Sequence, residues 1–356
     1  MSAQYVTLKQ SEPEFSRYLW GLKEAGKRAV PVRTYNVGTP EECVTFEIKN
    51  LNDIARPGFF RFVASEIKVR SFIFVLLPLF FVLTKAQIDG TFTDPLGALL
   101  ATLACVLLFA GLNIRNDMND HISGYDRVNL DAALKPIRQG WVTAKQLSVA
   151  SLWLIGISGG LAVPVVLLHS ELLKVLALSL IMFFAGRFAK RNSYKHQHFG
   201  EIVLFMLAGP ALVSGFQLSL GAGPDTESLS FGVLWGSAVL FLVQVNNFSH
   251  IMTSSQSGIK NTMTKLGFDI SQKFLMLEWA GLIVAWLLFQ GFFGHRLLGV
   301  PGTVVLVVCS VPLFRALLNI KSPMGSSLQT IRKKAHVAFL AMCIDLVAEN
   351  LVRLWL

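Results

Sequence analysis

Nine apolar stretches, each approaching the length of a membrane-crossing helix, are separated by polar gaps, and no other feature limits the fold of this chain as much. Crossing about 30 Å of hydrocarbon takes roughly 20 helical residues. The stretches lie at 71–86, 95–112, 147–168, 172–188, 202–221, 229–248, 274–293, 297–318 and 335–356. Lys174 interrupts the fourth. Backbone groups in lipid must be satisfied within the segment, so runs of this length are helices. The sequence therefore predicts an all-α membrane protein with nine transmembrane helices.

Composition agrees. Only 15% of the 356 residues are charged and 53% are hydrophobic, against roughly 25% charged in an ordinary soluble domain. The 32 lysines and arginines test the helix count. All but Lys85, Lys174, Arg296 and Arg353 fall in alternate gaps, before helix 1 and after helices 2, 4, 6 and 8, or, for Arg187 and Arg315, at the helix ends bordering those gaps. Cytoplasmic loops hold such an excess, so the N-terminus is expected inside, the C-terminus outside, and the long polar loops on the cytoplasmic face of the inner membrane. The net charge of +10 is spread over the gaps, which fits anchoring at a bilayer surface and not nucleic-acid binding.

Residues 1–66 form a polar cytoplasmic extension with no apolar run of signal-peptide length and a possible surface helix at 12–29. Residues 67–356 make up the nine-helix domain. Cys43, Cys105, Cys309 and Cys343 have no CxxC spacing, which argues against a disulfide frame or a zinc site.

Two inner gaps, 113–146 and 249–273, are long and polar, and long loops tend to carry function. The first holds Asp117 and Asp120, three residues apart, so a continuing helix puts both carboxylates on one face. Asp126 joins them if the chain bends at Gly124. Three carboxylates at a membrane surface repel one another unless a cation sits among them, and Mg²⁺ prefers oxygen ligands supplemented by substrate phosphates. Lys135 and Arg138 follow in the same loop. Carboxylates for a divalent ion, with cations nearby, suit a diphosphate whose charge must be neutralised as a bond breaks. The plain alternative is a solvated acidic loop.

Asn-Asp-Met-Asn-Asp-His-Ile-Ser-Gly-Tyr-Asp at 116–126 resembles the N-D-x-x-D-x-x-x-G-x-D motif of the UbiA superfamily of intramembrane prenyltransferases, in its 1,4-dihydroxy-2-naphthoate branch. Lys-Pro-Ile-Arg-Gln-Gly at 135–140, and Thr143 with Gln146, resemble that family's R-P-[IL]-x-x-G and T-x-x-Q. Lys190-Arg191 is similar to its K-R pair, and Gly200-Glu201 with Gly209-Pro210 to its G-E and G-P. The resemblance runs from about residue 70 to the C-terminus. It implies a nine-helix UbiA-type bundle, a Mg²⁺ cofactor, a prenyl diphosphate donor and a small aromatic, quinone-precursor-like acceptor such as 1,4-dihydroxy-2-naphthoate.

The family's second aspartate motif, N-N-x-R-D-x-x-x-D, is altered here. Asn246, Asn247 and Gly258 match, but His250 and Ser254 replace the aspartates and Ser249 the arginine. Such a chain works with one Mg²⁺ and leans on Lys260, Lys135 and Arg138, accepts a donor of different charge, or has lost transfer chemistry. His250 is read as a hydrogen-bonding group, since imidazole suits Mg²⁺ poorly.

The expected site follows. Asp117, Asp120 and Asp126 hold Mg²⁺ and, with Lys135 and Arg138, carry the chemistry. Asn113, Asn116, Lys190, Arg191, Asn246, Asn247, His250 and Lys260 bind substrate. The rivals are a terpene cyclase or a transferase to another acceptor on the same fold, and a non-catalytic lipid-binding protein or carrier. Asp345 and Glu349, four apart in the last helix, are read as helix pairing; a transport path is their alternative use. The 27 phenylalanines permit an isoprenoid tunnel but are ordinary packing residues as well. No GxxxxGK[ST] or HExxH sequence is present, which weakens nucleotide-driven and zinc-protease readings.

Overall fold

A computed structural model describes residues 4–21, 26–129, 135–188, 198–256, 258–294, 296–323 and 327–355. The chain forms two compact units, Met1–Phe72 with Ala104–Gly160 and Gln256–Gly258, and Ile73–Leu103 with Leu161–Ser255 and Ile259–Leu356.

The first unit corrects the all-α expectation. Its N-terminal part holds a three-stranded antiparallel sheet in the order β1-β3-β2, built from β1 (Gln4–Lys9), β2 (Lys27–Tyr35) and β3 (Cys43–Asn50). The surface helix expected at 12–29 is only α1 (Pro13–Leu19). Gly21 takes a left-handed φ of +77°, and the chain is back in extended structure by Lys27. Alternation explains the strand: Val44 and Phe46 on β3 are wholly buried, as expected of one face of a period-2 element. Phe15 and Tyr18 of α1 cover that face, with ring centroids 6.5 and 5.6 Å from Phe46.

The rest of this unit comprises α2 (Phe59–Glu66), the inner part of α4 (Pro95–Ile122), the short α5 (Tyr125–Val128) and the first part of α6 (Ala144–Leu168). Helix α6 starts with a capping box: Gln146 N donates to Thr143 Oγ1 (3.1 Å) and Thr143 N to Gln146 Oε1 (3.0 Å).

The second unit is helical. It contains α3 (Ile73–Ile88), α7 (Leu172–Phe188), α8 (His198–Ala208), α9 (Pro210–Ser219), α10 (Thr226–Ser249), α11 (Ile251–Gln256), α12 (Thr262–Phe293), α13 (Arg296–Asn319) and α14 (Ser327–Trp355). Aromatic rings fill its centre. Phe81 and Phe231 stack at 3.9 Å, and Trp235 lies 5.4 Å from Phe339 and donates through Nε1 to Phe74 O at 3.1 Å.

The protein is an integral, multi-pass membrane protein. Seven segments among the described residues have the length and apolarity to cross a bilayer: Val69–Ile88, Pro95–Ile122, Ala144–Leu168, Gly200–Ser219, Thr226–Ser249, Thr262–Phe293 and Gly299–Asn319. Of the other two expected spans, α7 has a short apolar stretch at Leu172–Met182, and α14 is long but more polar. Large apolar side chains such as Leu167, Leu277 and Phe292 are exposed on these helices, as lipid contact requires. The expected single helix at 202–221 breaks at Gly209, where Pro210 opens α9. A Cβ on Gly209 would lie 2.7 Å from Gly236 Cα and still closer to Gly232 O, so glycine permits the contact with α10.

Replacing Gly209 by alanine forces α10 away from the α8–α9 break, and the expected loss is about 1 to 3 kcal/mol, as for other overpacked interiors. Thermal unfolding of the detergent-solubilised variant measures it; an unchanged midpoint would show that the contact is soft.

Candidate active site

The last three turns of α4 continue past the apolar run and carry Asn113, Asn116, Asp117 and Asp120. Gly124, at φ +91°, turns the chain into α5, which carries Asp126. Each of the three aspartates offers an oxygen within 4.8 Å of the others. All are buried, at 6%, 2% and 2% exposure for Asp117, Asp120 and Asp126.

Lys135 sits at their centre. Its Nζ donates to Asp117 Oδ1 at 2.8 Å and to both oxygens of Asp126 at 2.9 and 2.7 Å, and lies 3.9 Å from Asp120 Oδ2. Burial opposes the ammonium charge, yet the Asp126, Asp117 and Asp120 carboxylates outweigh it and hold Lys135 above its ordinary pKa. Asp126 moves the other way from a simple ion pair: burial, reinforced by the Asp120 and Asp117 charges, lifts it to about 6 despite Lys135.

Polar neighbours surround the group. Asn116 Nδ2 donates to Asp120 Oδ2 at 3.2 Å, and Arg138 donates to the backbone oxygens of Asp126 (3.0 Å) and Asn129 (3.4 Å). Asn113 gives its amide to Ile67 O (3.1 Å) and Ser71 Oγ (3.2 Å). It thus holds the segment that carries Lys68, whose Nζ donates to Asp117 Oδ1 at 2.9 Å. Lys68 was missed by sequence reasoning, being one of many basic residues before the first span. So was Glu66, which lines a small cleft with Asp117, His121, Asp126, Lys135 and Arg138. Burial, and then the Asp117 charge, push Glu66 up to about 7. Neither residue carries a motif signal; only folding brings them to the acids.

The remaining expected residues belong to other segments of the chain. Lys190 and Arg191 fall outside the described residues. Asn246, Asn247, His250 and Lys260 belong to the second unit. Asn247 is buried at the end of α10. His250 Nε2 lies 3.3 Å from an Arg332 guanidinium nitrogen, where it accepts a hydrogen bond, and Lys260 is exposed. Glu201 accepts from the backbone N of Thr262 at 3.2 Å and from its hydroxyl, tying α8 to the start of α12. Asp345 accepts from Trp286 Nε1 at 3.0 Å, and Glu349 is buried on the same helix.

The aspartates fit a divalent cation. Their oxygens already converge on one compact positive group, the Lys135 ammonium, which stands in for a metal ion of similar position, and an all-oxygen donor set is what Mg²⁺ takes. Among the described residues no other group of three or more histidine, cysteine or acidic side chains converges in this way.

Comparison with known proteins bears on the fold. No protein-family profile matches the chain. The 1,4-dihydroxy-2-naphthoate octaprenyltransferase of Mycobacterium tuberculosis is 27% identical over 173 residues, 48% of this chain and 58% of that protein; the chain thus matches little more than half of that relative's length. Among solved structures, a UbiA homolog from Archaeoglobus fulgidus bound to GPP and Mg²⁺ superposes with a TM-score of 0.52 at 13% identity, covering 80% of this chain and 99% of that one. The apo UbiA homolog from Aeropyrum pernix K1 gives 0.54 at 18% identity, covering 78% and 97%. A digeranylgeranylglyceryl phosphate synthase gives 0.53 at 14% identity, covering 82% and 98%. The chain has the fold of the UbiA superfamily.

Lys135→Met removes the central counter-charge and leaves Asp126 buried without it. Loss of one partner of a buried ion pair costs on the order of 3 to 5 kcal/mol, and the lower end is expected because the lysine is part-exposed and Lys68 remains on Asp117. Thermal melts should show this loss, together with a larger stabilisation by added Mg²⁺ in the variant than in the parent; equal Mg²⁺ effects would separate the lysine from the cation position.

Proposed function

We propose that this protein is a UbiA-type prenyltransferase of the inner membrane, moving an isoprenoid group from a prenyl diphosphate to a small aromatic, quinone-precursor-like acceptor. The observation that carries the reading is the buried convergence of Asp117, Asp120 and Asp126 on one cationic position. The proposed bundle has nine spans, with α7 and α14 added to the seven apolar helices, and a cytoplasmic N-terminus. The partition of basic residues supports that orientation.

Asp117, Asp120 and Asp126 would hold Mg²⁺, which when bound supplies positive charge to the diphosphate oxygens. Asn116 orients Asp120 through its amide. Lys135 and Lys68, already on the carboxylates, have flexible stems that let their ammonium groups turn to the departing pyrophosphate. Arg138 holds the Asp126 backbone and so fixes the loop. Cleavage of the allylic C–O bond would leave a carbocation that survives only where water is excluded. The acceptor carbon then attacks the cation, and the acceptor loses a proton. Lys190, Arg191 and Lys260 are further proposed contacts for the diphosphate, and Asn246, Asn247 and His250 for the substrates. With no carboxylate at 250 or 254, the reading uses one metal-binding motif.

The test incubates purified protein with Mg²⁺, labelled prenyl diphosphates of several chain lengths and a panel of aromatic acceptors. Pyrophosphate release and a prenylated product are expected, with Asp117→Asn and Asp120→Asn slower by on the order of 100- to 1,000-fold, as for loss of a group that stabilises developing charge. A cyclised hydrocarbon product would indicate a terpene cyclase. Absence of pyrophosphate under every condition, with cellular function intact in both asparagine variants, would leave a non-catalytic lipid-binding protein.

A further inference from the structure

Resting on that reading, we infer that the N-terminal sheet is a brace for the carboxylate site, and that Glu42 and Arg127 are positioning residues that aim Asp126.

The contacts come from four places in the extension and meet one segment, 121–127, which links Asp120 to Asp126. Arg127 is buried, with its side chain 1% exposed, and pairs at 2.6 Å with Glu42, whose side chain is 6% exposed. The same guanidinium donates to His121 O at 3.1 Å and Ile122 O at 3.2 Å. These carbonyls end α4, where acceptors lack intrahelical partners and a positive charge is favoured. Glu42 is itself fixed: its Oε2 accepts from Gly38 N at 3.0 Å, and its carbonyl accepts from Gln10 N, beside β1, at 2.8 Å. His121 Nε2 donates to Leu19 O at 3.1 Å, at the end of α1. The Ile122 side chain packs against the sheet core. A Cβ on Gly124 would meet Val37 Cγ1 at 2.5 Å, so the turn between β2 and β3 closes directly over the bend.

Arg127 follows Asp126 in the chain, and its guanidinium reaches back to the helix that carries Asp120. Holding both ends of the bend fixes where the Asp126 carboxylate points. None of these groups touches Lys135 or the carboxylate oxygens in the bonds above, so their effect on metal passes through geometry. Outer residues that orient metal ligands change affinity by roughly 10- to 100-fold when lost.

Because Glu42→Gln alone leaves a buried guanidinium without its counter-charge, the test pairs it with Glu42→Leu/Arg127→Met, since an apolar pair often replaces a buried ion pair without loss of stability. Three quantities are read on the full chain in nanodiscs: the thermal midpoint, hydrogen exchange across 121–129, and Mn²⁺ affinity by electron paramagnetic resonance without substrate. The brace predicts a folded double variant, faster exchange confined to that segment, and Mn²⁺ binding weakened by roughly 10- to 100-fold. Asp117→Asn should weaken Mn²⁺ without raising exchange there. Parental exchange or parental Mn²⁺ affinity in a folded double variant overturns the inference. If the double variant does not fold, Val37→Ala opens the same bend without touching the ion pair, and parental values of exchange and affinity there overturn it equally. Should the parent bind Mn²⁺ yet release no pyrophosphate from any donor, the transferase reading fails and the brace stands. Should it bind no Mn²⁺, the metal reading fails and exchange decides the brace.

Discussion

Charge compensation among buried acids organises the site. Three carboxylates within 4.8 Å of one another repel by on the order of 3 kcal/mol per pair at an effective dielectric of about 20, and burial makes the cost worse. A cation in the middle relieves it, as does a proton on one of the acids. Lys135 meets the requirement in the protein alone, so the loop at 135–140 has to return to the end of α4. Lys68 adds a second positive group on Asp117, which draws in the segment ahead of α3. Three parts of the chain meet here because the aspartates demand it.

The same balance explains how a site can be stable and still available to a ligand. A lysine ammonium on a four-carbon stem is a mobile counter-ion, whereas Arg138, bonded to backbone oxygens, is a fixed one. In the proposed reaction the carboxylates would hold a divalent ion in place of the ammonium, and the lysine would be left to face the anionic diphosphate. The 246–260 stretch offers amides and an imidazole facing Arg332, with no carboxylates to bind a metal, so in the proposed reaction the full demand for divalent charge falls on the first motif.

Much of this was legible in the chain before folding. Apolar run length located the bundle because lipid imposes a length on helices, and the N-D-x-x-D spacing named the acids because helical periodicity aligns residues three apart. Other features were hidden for equally physical reasons. The sheet at 4–50 was overlooked because its strands are short and one-sided, a weak alternation beside long hydrophobic runs. The break at Gly209 answers to a backbone of α10 that lies elsewhere in the sequence. Lys68, Glu66 and the Glu42–Arg127 pair have no local pattern; each is defined by a partner between 49 and 85 residues distant or by burial. The apolarity rule has its own limit in α14, where Asp345 and Glu349 are buried among helices.

The N-terminal unit follows from the opening constraint. Lys135 compensates the acids but does not aim them, since an ammonium accepts any geometry that brings oxygens near. Aiming requires a rigid link between Asp120 and Asp126, and a bend around a left-handed glycine is the least rigid link available. A buried arginine–glutamate pair contributes little net stability, because desolvation consumes most of its Coulombic gain, but it has a narrow geometry that a forked guanidinium enforces through three acceptors, Glu42, His121 O and Ile122 O. Placing such a pair beside Asp126, and fastening its glutamate to a folded sheet, exchanges stability for direction. That gives the polar N-terminal segment a use: it directs an acid site whose counter-ions are flexible lysines.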